Sequence, residues 1–407
     1  MEQQYLTADE AARMLGISMP TLYSYVSRGL LRSEAGEGPK RSRRYPAADI
    51  RRLRERQDLR RDPGAVVDNV LDWGMPILDS ALTLIDNGRC YYRGIDALQL
   101  AAGETLERVA ALMWSGEMSG AGATFEGVHG ALSANAAGLL SRISSVRPIE
   151  RIAILLSVAA AEDAVAYDLR PAQVGRTGAR ILRLMAAAAV ERVMQGGSVA
   201  SALQAAWAPD RPDAAALFDA AMILSADHEL NVSSFTVRCV ASAGSTPYQA
   251  VIAGLAALQG ARHGGMCDRV EAMMREVGTA ERAQQALTAR LQRGEPIPGF
   301  GHRLYPAGDP RGRMLLALAI EAAPESPEAD LAREVARQAE RILGERPTID
   351  FGLVALCGTL KLPSGSALAL FALGRTAGWI GHAIEQYRTD RLIRPRAQYV
   401  GKLPVSG

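Results

Sequence analysis

Apolar positions recur at intervals of three and four along most of this chain, and strict alternation is scarce. Leu106, Val109, Ala110, Leu112 and Met113 form one such stripe, and residues 152–166, 179–195 and 248–259 carry the same period. That spacing lines one face of an α-helix with apolar side chains, so the pattern predicts a mainly α fold. The exception is 82–93, where Asn87-Gly88 is a two-residue hairpin signal between short apolar runs. The most apolar runs, 153–161 and 367–374, fall well short of the roughly 20 residues that cross a membrane; they read as core helices. Pro and Ser at 324–327 and 362–366 mark loops.

The first 62 residues read differently. Thr7 with Glu10 three positions on is a capping box, opening a helix that carries Ala11, Ala12 and Leu15. A turn at Gly16-Ile17-Ser18 follows. Ser18 caps a second helix with Pro20 in its first turn, running through Leu22, Tyr25 and Val26 to a stop at Gly29. After a Gly-rich basic stretch, a third helix is expected over about 47–57. Helix, Gly-containing turn and helix is the helix-turn-helix plan, and LTADEAARMLGISMPTLYSYVSRGLL with RRYPAADIRRL resembles the MerR-like and excisionase-like families. The resemblance implies DNA binding, with Thr21, Tyr25 and Arg28 of helix 19–28 in a major groove and Arg41, Arg43 and Arg44 on phosphates. The same three-helix plan also serves as a docking or dimerisation unit, and this helix offers one base, Arg28, at its far end.

Charge sharpens the boundary. Residues 1–62 hold 13 Lys/Arg and 9 Asp/Glu, a net of +4, which leaves −2 on the remainder of a chain whose total is +2. The Pro63-Gly64 breaker coincides with that shift, so the expected domains are 1–62 and 63–407. A chain this balanced, with 48% apolar residues, is neither largely disordered nor a coat for nucleic acid or membrane. The four cysteines, Cys90, Cys239, Cys267 and Cys357, lie far apart without metal-ligand or disulfide-framework spacing. Acids near the N-terminus stand where a secretory leader would be apolar. The expected state is reduced thiols in the cytoplasm, with no metal and no membrane partner.

Three of the five histidines sit in polar, glycine-rich or Asp/Arg-rich settings inside apolar helical sequence: His228 in ADHELN, His263 in ARHGG and His302 in GFGHRLYPAGDPR. Flanking glycines let a backbone approach a ligand closely. His129 stands in no motif, and His382 reads as a packing residue. These segments, with ADHELNVSSFTVR continuing the first, PTIDFG around Asp350, GRTAGWIGHAIEQ around Arg375 and LIRPRAQYVG around Arg394, resemble the citrate synthase family over about residues 67–401. The order and the 35-residue separation of His228 and His263 match that family.

The resemblance implies a two-domain helical fold, with a large domain of about 63–260 and 365–407 and a small domain of about 261–364. It implies a Claisen condensation of acetyl-CoA with oxaloacetate, followed by hydrolysis of citryl-CoA to citrate and CoA. Such a reaction needs a base for a weakly acidic C–H and a hydrogen-bond donor on the thioester oxygen. By matching position, Asp350 is the base, His263 that donor and His302 the group that polarises the ketone. His228, Arg311 and Arg375 match ligands of the dicarboxylate, for which guanidinium forks are suited. Arg394 matches an arginine supplied by the neighbouring subunit of a homodimer. Gly299, Phe300 and Gly301 are the expected meeting point with coenzyme A, a co-substrate rather than a tightly bound cofactor. The match departs at Met266-Cys267-Asp268, where the family usually has Ala-Asn and then an acid or amide. Two further readings stand beside this one: a 2-methylcitrate synthase using propionyl-CoA, and a DNA-binding regulator that uses the synthase body as a metabolite sensor.

Overall fold

A computed structural model describes residues 5–28, 31–35, 43–47, 49–50, 53–54, 78–128, 133–192, 194, 196–397 and 399–402. The chain divides into two compact units, Met1–Asp79 and Ser80–Gly407. The expected boundary at Pro63-Gly64, the stop at Gly29, Arg41 and His129 lie outside the described residues.

In the first unit, β1 (Tyr5–Thr7) leads into α1 (Ala8–Leu15) and α2 (Met19–Ser27). The capping box closes as read: Thr7 Oγ1 accepts from the Glu10 N–H while the Glu10 carboxylate accepts from the Thr7 N–H at 2.8 Å. Gly16 ends α1 at φ 63°, and Ser18 caps α2. β1 pairs antiparallel with β3 (Arg43–Pro46), which also pairs with β2 (Glu34–Ala35). Leu6, Ala11, Leu15, Leu22, Leu31, Tyr45 and Ile50 form one small core. Residues 47, 49–50 and 53–54 of the expected third helix are helical.

The second unit opens with the hairpin. β4 (Thr83–Asp86) pairs with β5 (Arg89–Tyr92), and Asn87 and Gly88 take φ 49° and 74° in its turn. β6 (Ile95–Asp96) completes a three-stranded sheet. Among the described residues, no further strand follows it. The helix Ser366–Thr389 lies at the centre, packed against Leu106–Ser115, Pro171–Val190, Ala214–Ser225, Val232–Ser242 and Pro247–Leu258. It is long and apolar enough to cross a membrane, but its apolar window is wholly buried inside this unit. Apolar burial contributes about 1.5–3 kcal/mol per large side chain, and with Leu370, Leu373, Trp379 and Ile380 all enclosed, packing on every face sets this helix in place.

Two glycines decide how closely it packs. A Cβ at Gly374 would lie 2.1 Å from the Met222 carbonyl oxygen, and one at Gly378 2.3 Å from that of Ala226. Without those side chains the backbones touch, and the Gly378 N–H donates to the Ala226 carbonyl at 3.1 Å. Arg375, between the two glycines, is thereby held against the end of Ala214–Ser225. A second group of helices packs on itself: Met266–Val277 and Pro310–Ala322 against Ile349–Thr359, and Ala283–Gln292 against Pro327–Leu343.

Candidate active site

His228 follows the helix Ala214–Ser225 and is buried. Its Nε2 lies 3.0 Å from the Tyr305 hydroxyl, and its ring stands edge-on to His302 with centroids 5.2 Å apart. Burial first, then Arg311, His302, Arg375 and His263, push its pKa well below the usual imidazole value. His228 is therefore neutral, and four of the expected site residues lie within electrostatic reach of it.

His302 reaches this cluster through backbone pairing between two loops. Gly301 N–H donates to the Arg346 carbonyl at 3.0 Å, and Thr348 N–H to the Gly299 carbonyl at 2.9 Å. Gly299 and Gly301 take φ 87° and 77°, a region that side-chain-bearing residues avoid. A Cβ would meet Val270 at 2.7 Å in the first case and the Glu345 carboxylate at 2.4 Å in the second. Phe300 stacks at a tilt on Phe351, with centroids 4.8 Å apart. The pairing thus brings the His302 loop alongside the turn that carries Asp350. His302 Nδ1 accepts from the Leu304 N–H at 3.2 Å, so the neutral ring carries its proton on Nε2. Burial and then Arg311 lower its pKa.

His263 Nε2 lies 2.8 Å from the Ser233 hydroxyl, and the Trp379 indole N–H donates to that same oxygen at 3.2 Å. The Ser233 hydroxyl itself donates to Asn231 Oδ1 at 2.7 Å, an oxygen that also accepts two backbone N–H groups as the cap of Val232–Ser242. Burial, then Arg375, push His263 down to about 3.

The two arginines are built in by different means. Arg311 forms a forked pair with Asp309, Nε to Oδ1 at 3.0 Å and Nη2 to Oδ2 at 2.9 Å, with both side chains buried. Burial works against the Arg311 charge, but Asp309 outweighs it and the guanidinium stays protonated. Arg375 donates from Nε to the Ser225 carbonyl at 2.7 Å and lies over the Phe371 ring. Burial, and Arg311 nearby, lower its pKa. In each, Nη1 is buried without a hydrogen-bond partner. Two such donors are costly unless a ligand satisfies them.

Asp350 lies in the first turn of Ile349–Thr359. Cys267 Sγ donates to its Oδ1 at 3.3 Å and Thr348 Oγ1 to its Oδ2 at 3.4 Å. Burial is the main force on it and pushes its pKa up to about 6. Arg394 is exposed after the last helix, with no hydrogen-bond partner among the described residues. The structure therefore brings His228, His263, His302, Arg311, Arg375 and Asp350 into one region and leaves Arg394 outside it. No group of three or more His, Cys, Asp or Glu among the described residues is arranged to hold a metal.

Sequence reading passed over the supports: Tyr305, Ser233, Asp309 and Thr348. Asp227 is another, a buried hub that accepts from Thr83 at 2.6 Å and from Ser234 at 3.2 Å and pairs with His382 at 3.2 Å. Asp309 alone had a local signal, because it stands two residues before Arg311. In the first unit, Thr21 bonds Ser18 at 2.9 Å and Tyr25 is packed against the small core, while Arg28 is exposed. Arg43 donates to Ser33, and Arg44 lies over Tyr5 and near Glu34. Tyr23, which sequence reading did not single out, is 51% exposed on α2.

A helical scaffold that buries two unsatisfied guanidinium donors beside neutral imidazoles and one carboxylate has the chemistry to take up a small polyanion with acid–base groups at hand. The family profile for the citrate synthase C-terminal domain matches residues 71–396, and the chain belongs to the citrate synthase family. A helix-turn-helix domain profile matches residues 5–58. Citrate synthase 2 of Bacillus subtilis is 37% identical over 187 residues, 45% of this chain and 50% of its own. A putative citrate synthase 2 of Mycobacterium tuberculosis is 38% identical over 194 residues, 46% of this chain and 52% of its own. The chain thus spans about half the length of these curated relatives. A citrate synthase of Mycolicibacterium smegmatis is 29% identical over 336 residues, 76% of this chain and 88% of its own. Among solved structures, citrate synthase from Thermotoga maritima is 28% identical with a TM-score of 0.69, over 82% of this chain and 96% of that one. Citrate synthase from Thermoplasma acidophilum, solved with carboxymethyl coenzyme A and oxaloacetate, has a TM-score of 0.72 at 23% identity, over 83% and 97%, and shares the fold.

Proposed function

We propose that this chain condenses acetyl-CoA with oxaloacetate and hydrolyses the citryl-CoA formed. The observation that carries the proposal is the pair of buried Nη1 atoms on Arg311 and Arg375 that lack partners beside neutral His228 and His302. The carboxylates of oxaloacetate satisfy those donors; the Thermoplasma enzyme of the same fold was solved with oxaloacetate and carboxymethyl coenzyme A. His302 Nε2–H then polarises the ketone. Asp350, with its pKa at about 6, is ionised at neutral pH yet basic enough to take a proton from the thioester methyl. His263, whose Nε2 faces the Ser233 hydroxyl, is in this reading the hydrogen-bond donor to the thioester oxygen. The enol carbon attacks the ketone carbon, the new alcohol takes the proton offered by His302, and water cleaves the thioester to release CoA.

Gly299, Phe300 and Gly301 meet the coenzyme in this reading, and Arg394 completes the anion site from the second subunit of a homodimer. Four free thiols and an acyl-CoA substrate suit the cytoplasm. The test is thiol release from acetyl-CoA with oxaloacetate present, with propionyl-CoA in parallel; no release from either overturns the proposal. Preferential release from propionyl-CoA assigns the chain to 2-methylcitrate synthesis instead.

The helix-turn-helix profile and the fold of the first unit support a second role, in DNA binding, with Thr21, Tyr25 and Arg28 toward the bases and Arg41, Arg43 and Arg44 on phosphates. The synthase body then acts as a metabolite sensor. A gel shift on the gene's own upstream DNA, with and without oxaloacetate and across salt concentrations, tests it; absence of salt-sensitive binding removes it.

A further inference from the structure

The departure Met266-Cys267-Asp268 places a thiol on the proposed base. Cys267 lies in the first turn of Met266–Val277 and Asp350 in the first turn of Ile349–Thr359, and these two helices pack on each other. The Cys267 side chain is 1% exposed, and its Sγ stands 3.3 Å from Asp350 Oδ1, within reach of an S–H donor. The second carboxylate oxygen is held by Thr348 Oγ1 at 3.4 Å. Each oxygen thus has one side-chain donor from a different segment. The charged and titratable groups around the pair are Arg311 and Asp309 at the start of Pro310–Ala322, Asp268 on the thiol's own helix, and Cys357 on the helix of Asp350.

We propose that Cys267 is a positioning residue for Asp350: its thiol donates to Oδ1 and sets the plane in which the carboxylate receives the proton from the thioester. The inference rests on the reading of Asp350 as the base. Rotation about the last bond of an aspartate side chain is soft and roughly two-fold, so an external donor is needed to fix the plane. Burial first, and then Asp350 itself, push the thiol well above its usual pKa, so the proton stays on sulfur and Cys267 acts as a donor rather than a competing base. An S–H is also a weak donor. It orients the carboxylate while stabilising the ionised form less than a hydroxyl or amide would, which leaves Asp350 more basic than a stronger partner would allow.

The full-length chain with Cys267→Ser, Cys267→Ala and Asp350→Asn provides the test. Serine is the stronger donor, so the acid limb of the kcat profile moves down by about half a pH unit; alanine removes the donor, so the limb moves up and kcat falls roughly ten-fold. KM for oxaloacetate stays within about two-fold in both, which separates positioning from general damage. The near-isosteric serine variant carries the test if alanine fails to fold. An acid limb unmoved in a folded variant overturns the inference. A second readout does not depend on turnover: the infrared S–H stretch that disappears in Cys267→Ser shifts to higher frequency in Asp350→Asn, and an unshifted band overturns the contact. Wild-type rates in Asp350→Asn refute the base reading, whereas an inactive Asp350→Asn with unmoved Cys267 variants refutes the Cys267 inference alone.

Discussion

Replacing Asp309 with alanine isolates the carboxylate that holds Arg311 in place. Its carboxylate makes both arms of the fork to Arg311, caps Pro310–Ala322 by accepting the Arg311 N–H at 3.1 Å, and accepts the Ile349 N–H at 3.3 Å next to Asp350. Breaking a buried pair by removing one partner costs about 3–5 kcal/mol, because the other charge is left without compensation. The lost cap adds about 1 kcal/mol. Arg311 would then keep a buried charge without its forked partner, so Asp309→Ala is expected to lose about 4–6 kcal/mol against a typical total of about 5–15 kcal/mol. The double variant Asp309→Ala with Arg311→Met replaces the pair by an apolar side chain of similar length, and it recovers more than half of that loss while losing oxaloacetate binding. Urea unfolding followed by circular dichroism measures both, and calorimetry measures the binding. A double variant as unstable as the sum of its singles would refute the argument, since the loss would then come from packing and capping rather than from an orphaned charge.

The remaining expectations concern other elements. Gly301→Ala forces a side chain into φ 77° and into the Glu345 carboxylate; thiol release falls about 100-fold through misplaced His302, while the circular dichroism spectrum is unchanged. Asp219 is pushed by burial from the ordinary 3.8 up to about 7, with the Leu106 N–H opposing and Glu107 assisting. The native state therefore binds its proton more tightly than the unfolded chain, and stability falls as pH rises from about 4 to about 7. Asp219→Asn flattens this slope and melts higher than the parent at about pH 8 but not at about pH 4; an equal difference at both is the contrary result. If Arg394 serves the neighbouring site, mixing Arg394→Ala with Asp350→Asn restores measurable thiol release in heterodimers, and mixtures no more active than either parent count against a shared site.

What could be read ahead of the fold was local or motif-borne. The Thr7/Glu10 box, the Ser18 cap and the Asn87-Gly88 turn all lie within three residues of the groups they serve, and each formed as read. Helix extents were read less well where a proline starts a helix before its apolar stripe begins, as in Pro148–Glu162 and Pro171–Val190. The supports of the site had no such signal. Tyr305 meets His228 across 77 residues, Ser233 meets His263 across 30 and Cys267 meets Asp350 across 83. Each is an ordinary residue of its segment until the chain has folded. Cys267 drew notice only as a departure from a resemblance, and its partner became visible only in space.

The arrangement also accounts for three imidazoles held together without charge. His228, His263 and His302 all have depressed pKa values, with burial as the largest cause and Arg311 or Arg375 next in each case. Burial, with the two guanidiniums behind it, thus keeps these rings neutral, and a neutral imidazole holds a single proton whose place is set by the bond its other nitrogen makes. For His302 that bond is the Leu304 N–H; for His263 it is the Ser233 hydroxyl, which accepts from Trp379 on the central helix and donates to Asn231. Arg375, Trp379 and His382 share that helix within two turns, so a single rigid element positions a buried guanidinium, a donor to Ser233 beside His263 and, through the His382–Asp227 pair, the turn that carries His228.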